Sequence, residues 1–246
     1  MCPEIQPDEV QAQIKFQDLT KETVKLLKNE CEDIAMSEEV WNKVYKSDNS
    51  FFGEVPSNFA LLCLNHMKTN NVKKVLELGS GHGRDTIFFA SKGLQVDALD
   101  YSVVAMDILD KIAKEKRLPI KSQTFDVKNN PLPFPDGYFD AVYSHMLFNM
   151  SFSEEELHFA FSEIRRVLKP KKGLNFLSVR NHHDRSYGKG VEVEKGIYDI
   201  DGFQIRFFTE KQIRDLVSAE SFEILWIKED YEEPVSIYLV SSRNTL

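Results

Sequence analysis

An apolar run ends in three closely spaced glycines at Val75-Leu76-Glu77-Leu78-Gly79-Ser80-Gly81-His82-Gly83, and an amphipathic segment starts at once behind it. Glycine where a strand turns into a helix permits a tight turn and lets another group approach the main chain. Few folds present that feature, and the rest of the chain narrows them further. Strand patterns fall at Lys74–Leu78, Gln95–Asp100, a segment ending near Asp126, Tyr138–His145 and Leu174–Val179. Helical patterns alternate with them: Asp85–Lys92, stopped by Gly93; a segment after Ser102 with Val104, Ile108 and Ile112 on one face and Ala105 and Leu109 beside them; and Ser153–Leu168. Such alternation specifies a doubly wound, mostly parallel sheet with right-handed crossovers.

The helix starts are marked chemically. Ser153 with Glu156, and Thr209 with Gln212, have the spacing of capping boxes. Behind the first, Leu157, Phe161, Ile164 and Leu168 form an apolar stripe; behind the second stand Ile213, Leu216 and Val217. Residues 180 to about 206 read as a long polar insertion. The chain closes with Phe222–Ile227 and Ser236–Ser241 joined by an acidic turn, Lys228–Pro234, which implies an antiparallel hairpin at one edge.

Before the glycines the pattern is helical. Residues 1–20 form a loose leader. Val24, Leu27, Cys31 and Ile34 recur at helical spacing from Lys21, a short helix spans Ser37–Lys46, and a third follows Pro56 with Ser57 as N-cap and Phe59, Leu62, Leu64 and Met67 inward. The division is therefore residues 1–71 as a helical extension packed on the same domain, and 72–246 as the α/β domain proper.

Net charge is −8, from 31 basic and 39 acidic residues, which disfavours attraction to a phosphate backbone. The densest basic stretch, Lys169 to Lys172 around Pro170, follows a helix, where cations suit the C-terminal dipole. Cys2, Cys31 and Cys63 form no metal-ligand spacing and no disulfide framework, so the expected setting is cytoplasmic, and no metal is expected. No secretory start and no membrane span is expected.

Three glycines alone do not choose a ligand. The dinucleotide fingerprint G-x-G-x-x-G/A requires glycine or alanine at position 84, which is Arg84. The stretch Val75 to Gly83 instead resembles motif I of class I S-adenosylmethionine-dependent methyltransferases. Further features in order strengthen the resemblance across residues 72–242: Asp100 ending the second strand, Asp126 the third, Leu132-Pro133-Phe134-Pro135-Asp136-Gly137-Tyr138-Phe139-Asp140 before the fourth, and Arg166-Val167-Leu168-Lys169-Pro170 before the fifth. The resemblance implies a seven-stranded Rossmann-like methyltransferase fold and methyl transfer from S-adenosylmethionine, with S-adenosylhomocysteine as product. It implies cofactor contacts at Glu77, Gly79, Ser80, Gly81, Gly83, Arg84, Asp100, Tyr101, Asp126, Val127 and Ser144. Asp100 would hold the ribose hydroxyls, a carboxylate being an acceptor matched to two donors. Arg84 opens a helix, a poor place for a cation, which leaves room for pairing with the methionine carboxylate, against the alternative of an exposed helix arginine. Asp100 and Asp126 as simple strand ends or caps, and Glu77 as an acceptor for loop amides, stand as the structural alternatives.

The acceptor of the methyl group is less legible. His145, at the end of strand four, is the candidate for moving a proton, against a role in packing. The run after that strand lacks the proline-containing motif of DNA amino-methyltransferases, and no cysteine follows the glycines, which with the acidic charge points to a small-molecule acceptor and away from nucleic acid. Pocket candidates are Trp41, Tyr45, Phe51 and Phe52 as a lid, and Asn149, His182, His183 and Tyr187. The stretch Tyr187 to Glu192 with Ile205 to Thr209 is loosely similar to the tellurite-resistance-related branch. Two rivals remain: a nicotinamide-dependent oxidoreductase, and a binding module that keeps the cofactor without catalysis.

Overall fold

Four of the described helices begin on a side chain that accepts a free amide of the first turn, three residues on, which is why each starts where it does. Ser57 accepts from Ala60 N, Ser102 from Ala105 N, Ser153 from Glu156 N and Thr209 from Gln212 N; the last two are complete capping boxes. The computed structural model describes residues 38–47, 53 and 55–246. The leader, the helix expected from Lys21, and Phe51 and Phe52 lie outside the described residues.

The helices are α1 Glu38–Ser47, α2 Asn58–Thr69, α3 Arg84–Ser91, α4 Val103–Lys116, α5 Glu154–Val167 and α6 Glu210–Ala219. The strands are β1 Lys74–Leu78, β2 Gln95–Asp100, β3 Ile120–Thr124, β4 Ala141–His145, β5 Leu174–Arg180, β6 Val191–Glu194, β7 Ile197–Ile200, β8 Phe203–Arg206, β9 Phe222–Glu232 and β10 Val235–Asn244. Seven of them form one sheet in the order β3-β2-β1-β4-β5-β10-β9. All its pairings are parallel except those of β10, which runs against β5 and β9. The doubly wound sheet with an antiparallel terminal hairpin is thus as expected. Strand order reverses between β1 and β4, and the crevice above such a reversal is where sheets of this kind receive ligands.

Alternation along the strands divides the core into two layers. Leu76, Val142, Leu177 and Val240 pack with Leu157, Phe161, Ile164 and Val217 of α5 and α6. On the opposite face Val75, Tyr143, Phe176 and Leu239 pack with Phe59, Cys63, Met67 and Phe89 of α2 and α3. A third cluster joins Tyr45 of α1 to Ala98 of β2 and to Ala105, Met106 and Leu109 of α4. No described helix is long and apolar enough to cross a membrane.

Four expectations are corrected. The buried face of α4 is Ala105, Met106, Leu109 and Ala113, while Val104, Ile108 and Ile112 are only half buried: the glycine loop packs on Leu109 and turns the helix that way. β4 starts at Ala141, not Tyr138, because Asp140 Oδ2 accepts from Lys73 N and Lys74 N, both at 2.9 Å, and so engages the start of β1 through its side chain. Most of the acidic segment Lys228–Pro234 is strand, since β9 runs to Glu232 as the sheet's edge, where Lys228 and Glu229 are exposed to water. The polar insertion contains a three-stranded antiparallel sheet, β6-β7-β8. Its β7–β8 turn is Asp201-Gly202, both at positive φ (57° and 89°), a hairpin signal present in the sequence between alternating apolar residues.

Candidate active site

The glycine loop leaves β1 pinned to β2: Gly79 N and Ser80 N both donate to Leu99 O, at 2.8 and 3.1 Å. Gly81 has φ +54° and Gly83 φ +90°, conformations a Cβ disfavours. Their open sides are filled by the protein itself. A Cβ on Gly81 would stand 2.5 Å from the Tyr45 hydroxyl oxygen, one on Gly83 would stand 2.3 Å from Leu109 Cδ1, and one on Gly79 would meet Leu147 Cδ1 at 2.9 Å. The close approach expected at these glycines is therefore made by side chains of α1, α4 and the turn after β4.

Asp100 closes the loop from the end of β2. Its Oδ2 accepts from Gly81 N and its Oδ1 from Ser102 N, both at 2.9 Å. The side chain is buried, and burial raises its carboxyl above the ordinary value against the pull of those amides. Tyr101 follows, half exposed. Ser80 Oγ and Ser144 Oγ are buried without a hydrogen-bond partner among the described residues. Asp126 lies two residues beyond β3, exposed, accepting from Lys128 N at 3.0 Å, and Val127 is buried in the α5 side of the core.

Two buried carboxylates lie beneath the loop. Thr86 Oγ1 donates to Glu77 Oε2 at 2.5 Å; burial and then neighbouring Asp85 push the Glu77 carboxyl well up. Asp85 is fully engaged: Oδ1 accepts from Ser57 N, and Oδ2 from Ser57 Oγ and Tyr143 Oη, each at 2.8 Å. Arg84 Nε stands 3.3 Å from Asp85 Oδ1. Burial alone would raise Asp85, but Arg84 and His145 outweigh it and hold it below the ordinary carboxylate value. This network moors the start of α2 to α3 and β4, and sequence reasoning missed it because its members are 28 to 86 residues apart.

At the end of β4, His145 is held on both sides. Its Nδ1 is 2.7 Å from Ser178 Oγ and its Nε2 is 3.3 Å from Glu232 Oε2. Ser178 Oγ also accepts from Met146 N at 3.0 Å, and Met146 has φ +63°, a sharp turn for a non-glycine residue. Asn149 is buried behind that turn: its Oδ1 accepts from Arg180 N at 2.6 Å and its Nδ2 faces Met146 Sδ at 3.0 Å. Glu232 was hidden in the sequence inside what reads as an acidic turn.

Tyr45, 4% exposed, carries α1 onto the loop, stacking on Trp41 with ring centroids 5.8 Å apart and meeting His82 edge-on at 6.0 Å. Asn42 Oδ1 accepts from Ser102 Oγ at 2.7 Å and Val104 N at 3.3 Å, so α1 spans the same turn that Asp100 braces. The candidates after β5 point elsewhere. His183 Nδ1 is 2.6 Å from Glu229 Oε1, His182 Nδ1 is 3.4 Å from Tyr238 Oη, and Tyr187 packs edge-on against Tyr198 and Phe207. These contacts tie the segment after β5 to the terminal hairpin on one side and to the small sheet on the other.

Residues 75–171 match the methyltransferase-domain family. No curated protein matches the chain. Among solved structures, it is similar to an S-adenosylmethionine-dependent methyltransferase from Methanosarcina mazei (22% identity, TM-score 0.64, covering 70% of this chain and 92% of that one). One from Clostridium acetobutylicum is also similar (14% identity, TM-score 0.64, 85% and 97%). So is TehB from Haemophilus influenzae (15% identity, TM-score 0.56, 74% and 61%). The structural likenesses establish the fold. The methyltransferase-domain match runs from β1 through the glycine loop, the end of β2 and β4 to the turn before β5, so it takes in the loop and both strand ends that form the crevice.

Proposed function

We propose that the chain is a class I S-adenosylmethionine-dependent methyltransferase that methylates a small-molecule acceptor by in-line displacement at the cofactor's sulfonium, in the crevice between the glycine loop and the end of β4. The observation that carries this reading is Asp100: a buried carboxylate at the end of β2, braced by Gly81 N and Ser102 N, beside the loop. The residues fit the cofactor. Asp100 is an acceptor for ribose hydroxyls, and Ser80 Oγ in the glycine loop and Ser144 Oγ on β4 are buried hydroxyls without a partner among the described residues, on either side of the crevice. Glu77, Gly79, Gly81 and Gly83 shape the loop, with Arg84 at the methionine end and Tyr101, Asp126 and Val127 toward the adenine. The cofactor supplies the reactive methyl group; the protein binds, orients and excludes water.

A small acceptor is supported by enclosure and charge. The described helix α1 serves as a lid on the 72–246 domain, with Trp41 stacked on Tyr45 and Tyr45 against the loop, and the net charge of −8 is unsuited to a nucleic-acid backbone. His145, with both ring nitrogens engaged, positions neighbours rather than taking a proton from the acceptor. Calorimetry tests the reading. S-adenosylhomocysteine should bind and NADPH should not, and Asp100→Ala should weaken binding by roughly 1–3 kcal/mol. Binding of NADPH without either methionine cofactor would overturn it.

A further inference from the structure

Above β1 and β4 four ionisable side chains from three elements meet. Arg84 and Asp85 open α3, His145 ends β4, and Glu232 ends β9 at the tip of the terminal hairpin. Asp85 has both oxygens engaged by Ser57 and Tyr143. Glu232 does not: Oε2 faces His145 Nε2 at 3.3 Å, but Oε1 is buried with no hydrogen-bond partner among the described residues. A carboxylate oxygen shut away from water without a donor is costly, and native proteins keep such atoms for a reason. The group is charged at neutral pH: burial would raise its carboxyl, but His145 and Arg84 outweigh that and hold it below the ordinary value. Glu232 therefore brings an open, charged acceptor to a cluster whose guanidinium, Arg84, lies within its electrostatic reach.

An anionic acceptor beside a guanidinium is complementary to a ligand end bearing both an ammonium and a carboxylate. The methionine end of the cofactor is such a zwitterion. We propose that Glu232 Oε1 accepts a hydrogen bond from the α-ammonium of the cofactor, so that the C-terminal hairpin, and not only the glycine loop, reads the methyl donor. The assignment rests on the cofactor reading above.

The test compares two ligands on the full chain by isothermal titration. S-adenosylhomocysteine carries the amino acid end; 5′-methylthioadenosine keeps the adenosine and sulfur and lacks it. Glu232→Gln should lower affinity for S-adenosylhomocysteine about tenfold, ~1.4 kcal/mol, and leave that for 5′-methylthioadenosine within about twofold. Retained 5′-methylthioadenosine binding also demonstrates a folded pocket. Glu232→Asp, which keeps the charge on a shorter arm, should recover part of the loss. Unchanged S-adenosylhomocysteine affinity in Glu232→Gln, or equal weakening of both ligands, overturns the proposal. A parent protein that binds neither ligand overturns the cofactor reading itself, and this assignment with it.

Discussion

The hydroxyl oxygen of Tyr45 stands 2.5 Å from where a Cβ on Gly81 would lie, so the lid helix and the glycine loop are fitted to each other. Gly81 also has φ +54°, where a Cβ is disfavoured by roughly 1–2 kcal/mol. Gly81→Ala should therefore destabilise the fold by more than that strain alone. Adding Tyr45→Phe removes the obstructing oxygen and should return part of the loss, giving a non-additive pair. Denaturant unfolding of both single variants and the double variant measures this. Strict additivity would show that α1 does not press on the loop.

Tyr143 Oη donates to Asp85 Oδ2 at 2.8 Å in a site closed to water. Removing one donor from a buried carboxylate leaves it partly unsatisfied, so Tyr143→Phe should cost roughly 1–3 kcal/mol despite its apolar shape match. Because Ser57 shares Asp85, hydrogen exchange should rise first in α2. A variant as stable as the parent would mean that water or Arg84 replaces the lost bond.

Asp140 gives a pH prediction. Burial would raise its carboxyl, but Lys169 Nζ at 2.5 Å and the amides of Lys73 and Lys74 outweigh it and hold it below the ordinary value. A carboxyl lowered in the folded state contributes stability above its unfolded value of about 3.9 and loses it as pH falls through the lower folded value. Asp140→Asn does not titrate. It should be less stable than the parent at pH 7 by roughly 1–2 kcal/mol, with the gap closing in acid. Denaturation at a series of pH values reads it; a gap constant down to strong acid would remove Asp140 from the acid limb.

Local chemistry was legible from the chain alone. β1 at Lys74–Leu78 and β2 at Gln95–Asp100, the caps at Ser57, Ser102, Ser153 and Thr209, and the placing of three glycines between strand and helix all depend on neighbours a few residues away. Those signals are enough for a doubly wound sheet, because period and capping are properties of short windows. The Asp201-Gly202 turn was equally local and shows that a polar segment can still hide a hairpin.

What the sequence determined by itself was the order of elements and the presence of a glycine loop between β1 and α3, followed by Asp100 at the end of β2. Only the tertiary structure decided what those glycines face: Tyr45 at Gly81 and Leu109 at Gly83. It also carried Glu232, 87 residues along the chain, to His145, since the hairpin's extra length brings its tip over the sheet. Pairing at that separation is set by strand order and hairpin length rather than by periodicity, and no short window of sequence contains it.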